Sequence, residues 1–187
     1  MKGIKINIKF DVVLVVEKTT IWLEKAVIGL NLCPFAKAVH VRKQIRFVVS
    51  EARNEESLIM DLVSALQLLA ESEAESVDTV LLIHPQVLNE FLDYNDFLEI
   101  ADRIVEQQGF LGEFQIASFH PDYQFADSAP GAIENYTNRA PFPMLHILRE
   151  SSIERAVEAF PDAADIYERN IKTMRQLGID GWGTLFE

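Results

Sequence analysis

The chain has 187 residues, 49% of them apolar and 25% charged, a length and mixture that suit one folded domain with a real core. Its 29 acidic and 17 basic residues leave a net charge of −12, which argues against nucleic acid, a partner held through lysine and arginine contacts to phosphate. The single cysteine, Cys33, cannot close an internal disulfide; a secreted, disulfide-stapled fold loses support and a cytoplasmic location is the default expectation.

The opening run MKGIKINIKFDVVLVV sets basic residues before a short apolar stretch, Val12–Val16. That stretch is too short to span a bilayer, and Glu17 and Lys18 follow where a signal peptide would carry a cleavage site, so no membrane role is expected. Residues 1–18 read as an N-terminal arm or an extra strand, and residues 19–187 as a single α/β domain. Thr19 or Thr20 is the expected cap of a first helix with Ile21, Trp22, Ala26, Val27 and Leu30 on its apolar face. Pro34 biases Cys33 away from helical backbone and itself suits the first position of a helix. The first helix should therefore stop near Asn31 or Leu32, and a short second one should run over Pro34–Val41 with Cys33 as its N-cap.

Gln44–Ser50 has strand character, with Ile45, Phe47 and Val49 on one face and Arg46, Val48 and Ser50 on the other; Arg46 is solvated if this is an edge strand. Glu55–Glu75 predicts a long helix with Leu58, Leu62, Ala65, Leu66 and Leu69 inward. Val77–Ile83 is a β-branched apolar strand ending on His84-Pro85. Asn89–Gln108 predicts a helix with Phe91, Phe97, Ile100, Ile104 and Val105 toward the core, stopped by Gly109. Glu113–Phe119 is the next strand and ends on His120-Pro121, so VLLIHP and IASFHP close two strands alike. Phe142–Leu148 predicts a further strand. Ser151–Ala159 and Ala163–Leu177 predict terminal helices split by Pro161, with Gly178 closing the second and Trp182 tucked onto the body. The pattern gives an α/β class, with α+β the alternative: a four- or five-stranded mixed sheet packed with helices.

Strand–helix–strand units normally make parallel strands with right-handed crossovers. Applied to the first three strands, the rule collects Ser50-Glu51, His84 and His120 at one carboxyl edge, where open α/β sheets commonly bind ligands. The connection His120–Pro143 is longer than structureless loops usually are, and Tyr123, Phe125, Tyr136 and Phe142 can anchor it. Its returning limb would bring Asn138 and Arg139 to the same edge, and the start of the short second helix would bring Cys33 there.

Each candidate has a functional and a structural reading. A thiol at a helix N-terminus becomes more acidic, which would make Cys33, near Lys37 and His40, a reactive nucleophile; the alternative is a buried, inert small hydrophobe. His84 and His120 could move a proton near neutral pH, or hold a metal with Asp122 or Asp127; the alternative is two rings hydrogen-bonded to loop backbone. Arg139, with Asn138, Asp122 and Tyr136 around it, offers a planar fork for a small anionic ligand, or else anchors the loop by pairing with Asp122, Asp127 or Glu134. H-E-x-x-H, C-x-x-C, G-x-G-x-x-G, Walker and G-x-S-x-G patterns are absent, so zinc-protease, nucleotide-binding and serine-hydrolase routes lose support. Three readings stay open. One is an enzyme or binder using Arg139 and Asn138 for an anionic group and His120, His84 and Cys33 for chemistry. Another is a metal- or haem-binding protein through Cys33, His84 and His120. The last is a non-catalytic interaction domain, or homodimer, whose loop is a brace. The sequence specifies no cofactor.

GLNLCPFAKAV (Gly29–Val39), SFHPDYQFAD (Ser118–Asp127) and ENYTNRAPFPMLHILRE (Glu134–Glu150) together resemble the bacterial domain-of-unknown-function 1415 family, over about Thr19 to Trp182. The resemblance implies a shared domain and its boundaries, and brings no activity, cofactor or partner with it.

Overall fold

The computed structural model describes residues 11–159 and 165–187. The chain enters helix α1 (Val12–Trp22) at Asp11, whose carboxylate accepts from the backbone N–H groups of Val13 at 2.9 Å and Leu14 at 3.4 Å. Asp11 is therefore the cap, not Thr19 or Thr20. Those two threonines lie inside the helix and turn their hydroxyls back onto the carbonyls of Val15 and Val16, both at 2.8 Å. Residues 12–18 are helix rather than arm or strand, because burial of Val15 and Thr19 outweighs the β preference of the valines. Residues 1–10 of the expected arm fall outside the described residues, as does Pro161.

The helix widens into a π-helical segment over Leu23–Ile28, marked by bonds five residues back from Gly29 to Glu24 (2.9 Å) and from Leu32 to Val27 (2.9 Å). A side chain at Gly29 would overlap the Lys25 carbonyl. A turn through Asn31 leads to α2 (Ala36–Val41), which starts two residues later than the proline suggests. Phe35 is its N-cap, and Cys33 sits a turn ahead with its carbonyl accepting from Ala36 at 3.2 Å.

Then follow β1 (Ile45–Val49), α3 (Glu55–Glu71), β2 (Thr79–Ile83), α4 (Phe91–Gln107), β3 (Phe114–Phe119), β4 (Met144–Arg149), α5 (Glu150–Ala159) and α6 (Ile166–Thr184). Asn54 caps α3 by accepting from Ser57 N–H at 2.8 Å. The sheet has the order β1-β2-β4-β3, with β1 parallel to β2 and β4 antiparallel to both its neighbours. The first three strands therefore run in one direction as expected, but β4 is inserted between β2 and β3. The register aligns Val49, Ile83, Met144 and Phe119 in one row at the carboxyl edge of β1–β3.

Alternation sorts the side chains onto two faces. Val80, Leu82, Leu145, Ile147 and Phe114 pack with Leu58, Leu62, Leu66 and Leu69 of α3 and Tyr94, Phe97, Ala101 and Val105 of α4. Leu81, Ile83 and Met144 face the other way, onto Val15, Trp22, Leu23, Ala26 and Val27, where Trp182 and Leu185 also pack. Of the expected α4 core, Phe97 and Val105 are buried, and Phe91, Ile100 and Ile104 are partly so. Gly178 breaks α6 with φ at 70°, but helix resumes beyond it, carrying Trp182 onto Tyr136 at 5.3 Å. The result is a single α/β domain with a four-stranded mixed sheet.

Candidate functional site

Strand parity decides where the two His-Pro steps point. His84 continues the Val80, Leu82 series and His120 the Ile116 series, so both rings enter the α4 side of the sheet, and both residues are fully buried. The pairing extends one step past the strands: His84 N–H donates to Pro143 at 3.0 Å and His120 N–H to Asn138 at 3.2 Å. Each histidine then opens a turn, its carbonyl accepting from the residue three further on, Val87 at 3.4 Å and Tyr123 at 3.2 Å. The repeated motif is thus a repeated structure.

Tyr94 of α4 lies between the rings, its centroid 5.8 Å from His84 and 5.1 Å from His120. Its hydroxyl donates to the Met144 carbonyl at 2.8 Å and accepts from Phe119 N–H at 3.0 Å, which ties it to β4 and β3. His84 Nδ1 donates to the Val87 carbonyl at 3.0 Å. His120 Nδ1 accepts from Asp122 N–H at 3.0 Å, which leaves its proton on Nε2 for the Leu88 carbonyl at 3.2 Å. Both rings are neutral. Burial drives the His84 pKa down to about 4, and burial likewise lowers that of His120 against the opposing pull of the Leu88 carbonyl and the Asp122 carboxylate. The backbone-bonded reading of the two histidines is the one this geometry matches.

Leu88 is the strained residue of the group. Its φ is 57°, in the left-handed region, where an L side chain costs roughly 1–2 kcal/mol. The segment it belongs to forms one wall of a cleft of about 610 Å³, between Asn54–Glu56 at the start of α3 and Val87–Glu90 with Asp93 at the start of α4. A second hollow of about 580 Å³ adjoins it through Asn54 and is lined by Val48–Arg53, Ser57, Met60 and Asp61. There Ser50, buried, donates to the Asp61 carboxylate at 2.5 Å.

The long loop is braced from within. Arg139 donates from Nε to the Tyr123 carbonyl at 3.2 Å and from Nη2 to the Pro130 carbonyl at 2.8 Å, with its guanidinium 4.2 Å over the Tyr136 ring. It ties the outgoing limb to the returning one through carbonyls rather than through the expected carboxylates; Glu134 pairs instead with Arg175 of α6. Asn138 donates to the Ser118 carbonyl at 3.1 Å, and Asp122 contributes its backbone N–H to His120. The residue that composition gave no reason to single out is Asn135. It is fully buried in the 3-10 turn Ile133–Thr137, accepts from Phe125 N–H at 3.0 Å and from the Ser128 hydroxyl at 2.5 Å, and donates to Ala129 at 2.9 Å.

Cys33 is placed differently from expectation. It packs with Trp22, Ile83 and Phe119 on the α1 face, whereas the histidines lie on the α4 face. The N–H groups of Phe35 and Ala36 favour the thiolate, but burial outweighs them and raises the thiol pKa above its ordinary value. Burial thus opposes the thiolate here, and Cys33 does not group with His84 and His120, which lie on the other face of the sheet. Among the described residues, no three His, Cys, Asp or Glu side chains are grouped to hold a metal ion, and no helix is long and apolar enough to cross a membrane.

Fold and site together define an α/β protein with a histidine-braced cleft at the carboxyl edge of its sheet. Residues 14–184 match the model of the family described as "protein of unknown function (DUF1415)", and the chain belongs to that family. The match starts before residue 19, in keeping with α1 being part of the shared domain. No curated protein and no solved structure matches the chain.

Proposed function

We propose that the chain binds a small molecule in the cleft between the starts of α3 and α4. The cleft lies outside the carboxyl ends of the parallel pair β1 and β2, the edge at which open α/β sheets take ligands. Its volume suits a metabolite-sized molecule. The observation that carries the reading is Leu88. Among the described residues, the other non-glycine residues with positive φ, Asn31 and Lys43, are exposed turn residues, whereas Leu88 is buried and its carbonyl is gripped by a buried imidazole. Strain of this kind persists where the surroundings over-determine it, and it concentrates at binding and catalytic sites.

In this reading His84 and His120 are positioning residues that set the wall, and Asn54 and Asn89 supply hydrogen-bonding groups. Glu55, Glu56, Glu90 and Asp93 make the cleft acidic, which favours a ligand bearing an ammonium or other cationic group. A small anionic ligand on Arg139 would share its guanidinium with the Tyr123 and Pro130 carbonyls and would lie outside the residues that line this cleft. The test is an amide-shift NMR titration with two panels, small amines and small carboxylates or phosphates. Saturable shifts on residues 54–56 and 87–93 are expected, with the amine panel. Shifts confined to the α6 groove around Lys172 and Arg175, or no saturable shift at all, would overturn the proposal.

A further inference from the structure

Two neighbouring carbonyls of one short segment, those of Val87 and Leu88, are held by two different imidazoles arriving from two different strands. Between them the backbone is strained at Leu88. We propose that His84 and His120 form a proton-released latch on residues 84–90: with both rings neutral the cleft wall is held, and charging either ring lets Val87–Glu90 move out of the strained conformation and reshape the cleft. The meaning of this latch for ligand binding rests on the cleft reading above; the latch itself does not.

The chemistry of each ring gives the direction. His120 Nδ1 already accepts from Asp122 N–H at 3.0 Å, so a proton there would set two donors face to face. His84 Nε2 is buried without a hydrogen-bond partner among the described residues, so a proton there would be a buried charge facing no acceptor. Charging leaves both donors in place on the Val87 and Leu88 carbonyls, so release comes instead from burial: both charged forms need water, and the wall is what stands to yield. Leu88 supplies the bias, since its backbone loses strain when the segment moves.

The surrounding groups divide clearly. Burial opposes the charged form of both rings; the Val87 carbonyl favours it at His84, the Leu88 carbonyl and the carboxylates of Asp122 and Glu90 favour it at His120, and proximity of the two imidazoles disfavours charging His84. Phe91, Tyr94 and Tyr123 pack around the pair; burial keeps the Tyr94 phenol neutral throughout. His146 provides an internal control. Its Nε2 bonds the Thr79 hydroxyl at 2.7 Å, and strand alternation sets it with Leu81 and Met144 on the opposite face, away from the wall.

The test is NMR on the intact chain from pH 7.5 to 3.0, following the histidine Cε1–H signals, the amide shifts and the hydrogen-exchange protection factors. The amides of residues 87–90 are expected to shift with the midpoint of His84 or His120. Their protection factors should fall at least tenfold while those of β2 and β4 hold. His120→Gln, whose amide can still donate to the Leu88 carbonyl but cannot titrate, should shrink that response. If the variant does not fold, the wild-type titration still decides. Titration of both rings with no change at 87–90 would overturn the latch, as would changes there that merely follow His146 and the whole sheet. None of these readouts uses a ligand, so failure of the latch and failure of the cleft reading are separately visible.

Discussion

Arg149 is the residue at the end of β4 on which the far edge of the domain turns. Its Nη2 donates to the carbonyls of Leu69 at 2.6 Å and Ser72 at 2.5 Å, and its Nε and Nη2 both reach Val77 at 3.4 and 3.2 Å. These are the last carbonyls of α3 and the chain leading into β2, so one guanidinium closes the helix end and fixes the entry to the central strand. The guanidinium carbon also lies 5.7 Å from the Phe114 ring centroid. Arg149→Met keeps an unbranched apolar stem and removes the donors together with that cation–π contact. A hydrogen bond to a charged group contributes roughly 1.5–3 kcal/mol, and bonds sharing one guanidinium do not add fully, so a loss of about 3 kcal/mol is expected. With a urea slope of about 1–3 kcal/mol/M, the unfolding midpoint should drop by roughly 1–3 M. Arg149→Lys should fall between, because an ammonium carries the charge without the planar fork. A midpoint for Arg149→Met within about 0.3 M of wild type would refute the capping role, and a lysine variant as stable as wild type would show that charge, not geometry, is what matters.

Acid should weaken the fold before most carboxylates titrate. The His84 pKa is about 4 when folded against 6.5 unfolded, so stability is flat above pH 7 and is lost as pH falls from 6.5 toward 4, by up to about 3 kcal/mol; urea midpoints across that range check it, and a flat profile would sink it. His146, also lowered to about 4 by burial, adds in the same direction. Asn135→Ala removes the centre of the loop's hydrogen bonding, so exchange across residues 122–140 should rise by at least tenfold and stability should drop by about 2 kcal/mol; unchanged exchange there would count against the brace. Cys33 should react with iodoacetamide at pH 7 at least tenfold more slowly in the folded protein than in urea, and rapid labelling of the folded form would contradict the raised thiol pKa.

Much of the fold was legible because it rests on periodicity. The apolar spacing of α3 named Leu58, Leu62, Ala65, Leu66 and Leu69, and all five are buried. Arg46 was expected to be solvated if β1 is an edge strand, and it is exposed on what proves to be one. The start of α1 was not legible, because a run of valines reads as strand and only the contacts of Val15 and Thr19 with the body make it helix. Capping also misled at Cys33: a proline marks a turn, but whether helix begins at once or a turn later depends on where the chain must go. Of the candidate residues, the strand-end positions of His84 and His120 were legible. Residue types at the carboxyl edge could be named, but which donors meet which carbonyls follows from side-chain directions that no spacing encodes.

The insertion of β4 explains why two histidines that the sequence places at the ends of successive strands do not meet in the structure. Had β2 and β3 been neighbours, their end residues would stand about 5 Å apart, close enough to share a proton or a metal ion. With β4 between them the separation is about 10 Å, two strand spacings. Tyr94 fills that gap, in contact with both rings and hydrogen-bonded to the flanking strand ends. Each imidazole is left to find its own partner, and parity aims both toward the chain that leaves β2. The same insertion puts the last strand beside both His-Pro turns, so that Pro143 and Asn138 receive the histidine N–H groups and the long loop becomes part of the wall's support. The two histidines thus hold the backbone of residues 87 and 88, and the loop in turn holds the backbone N–H of His120 through Asn138.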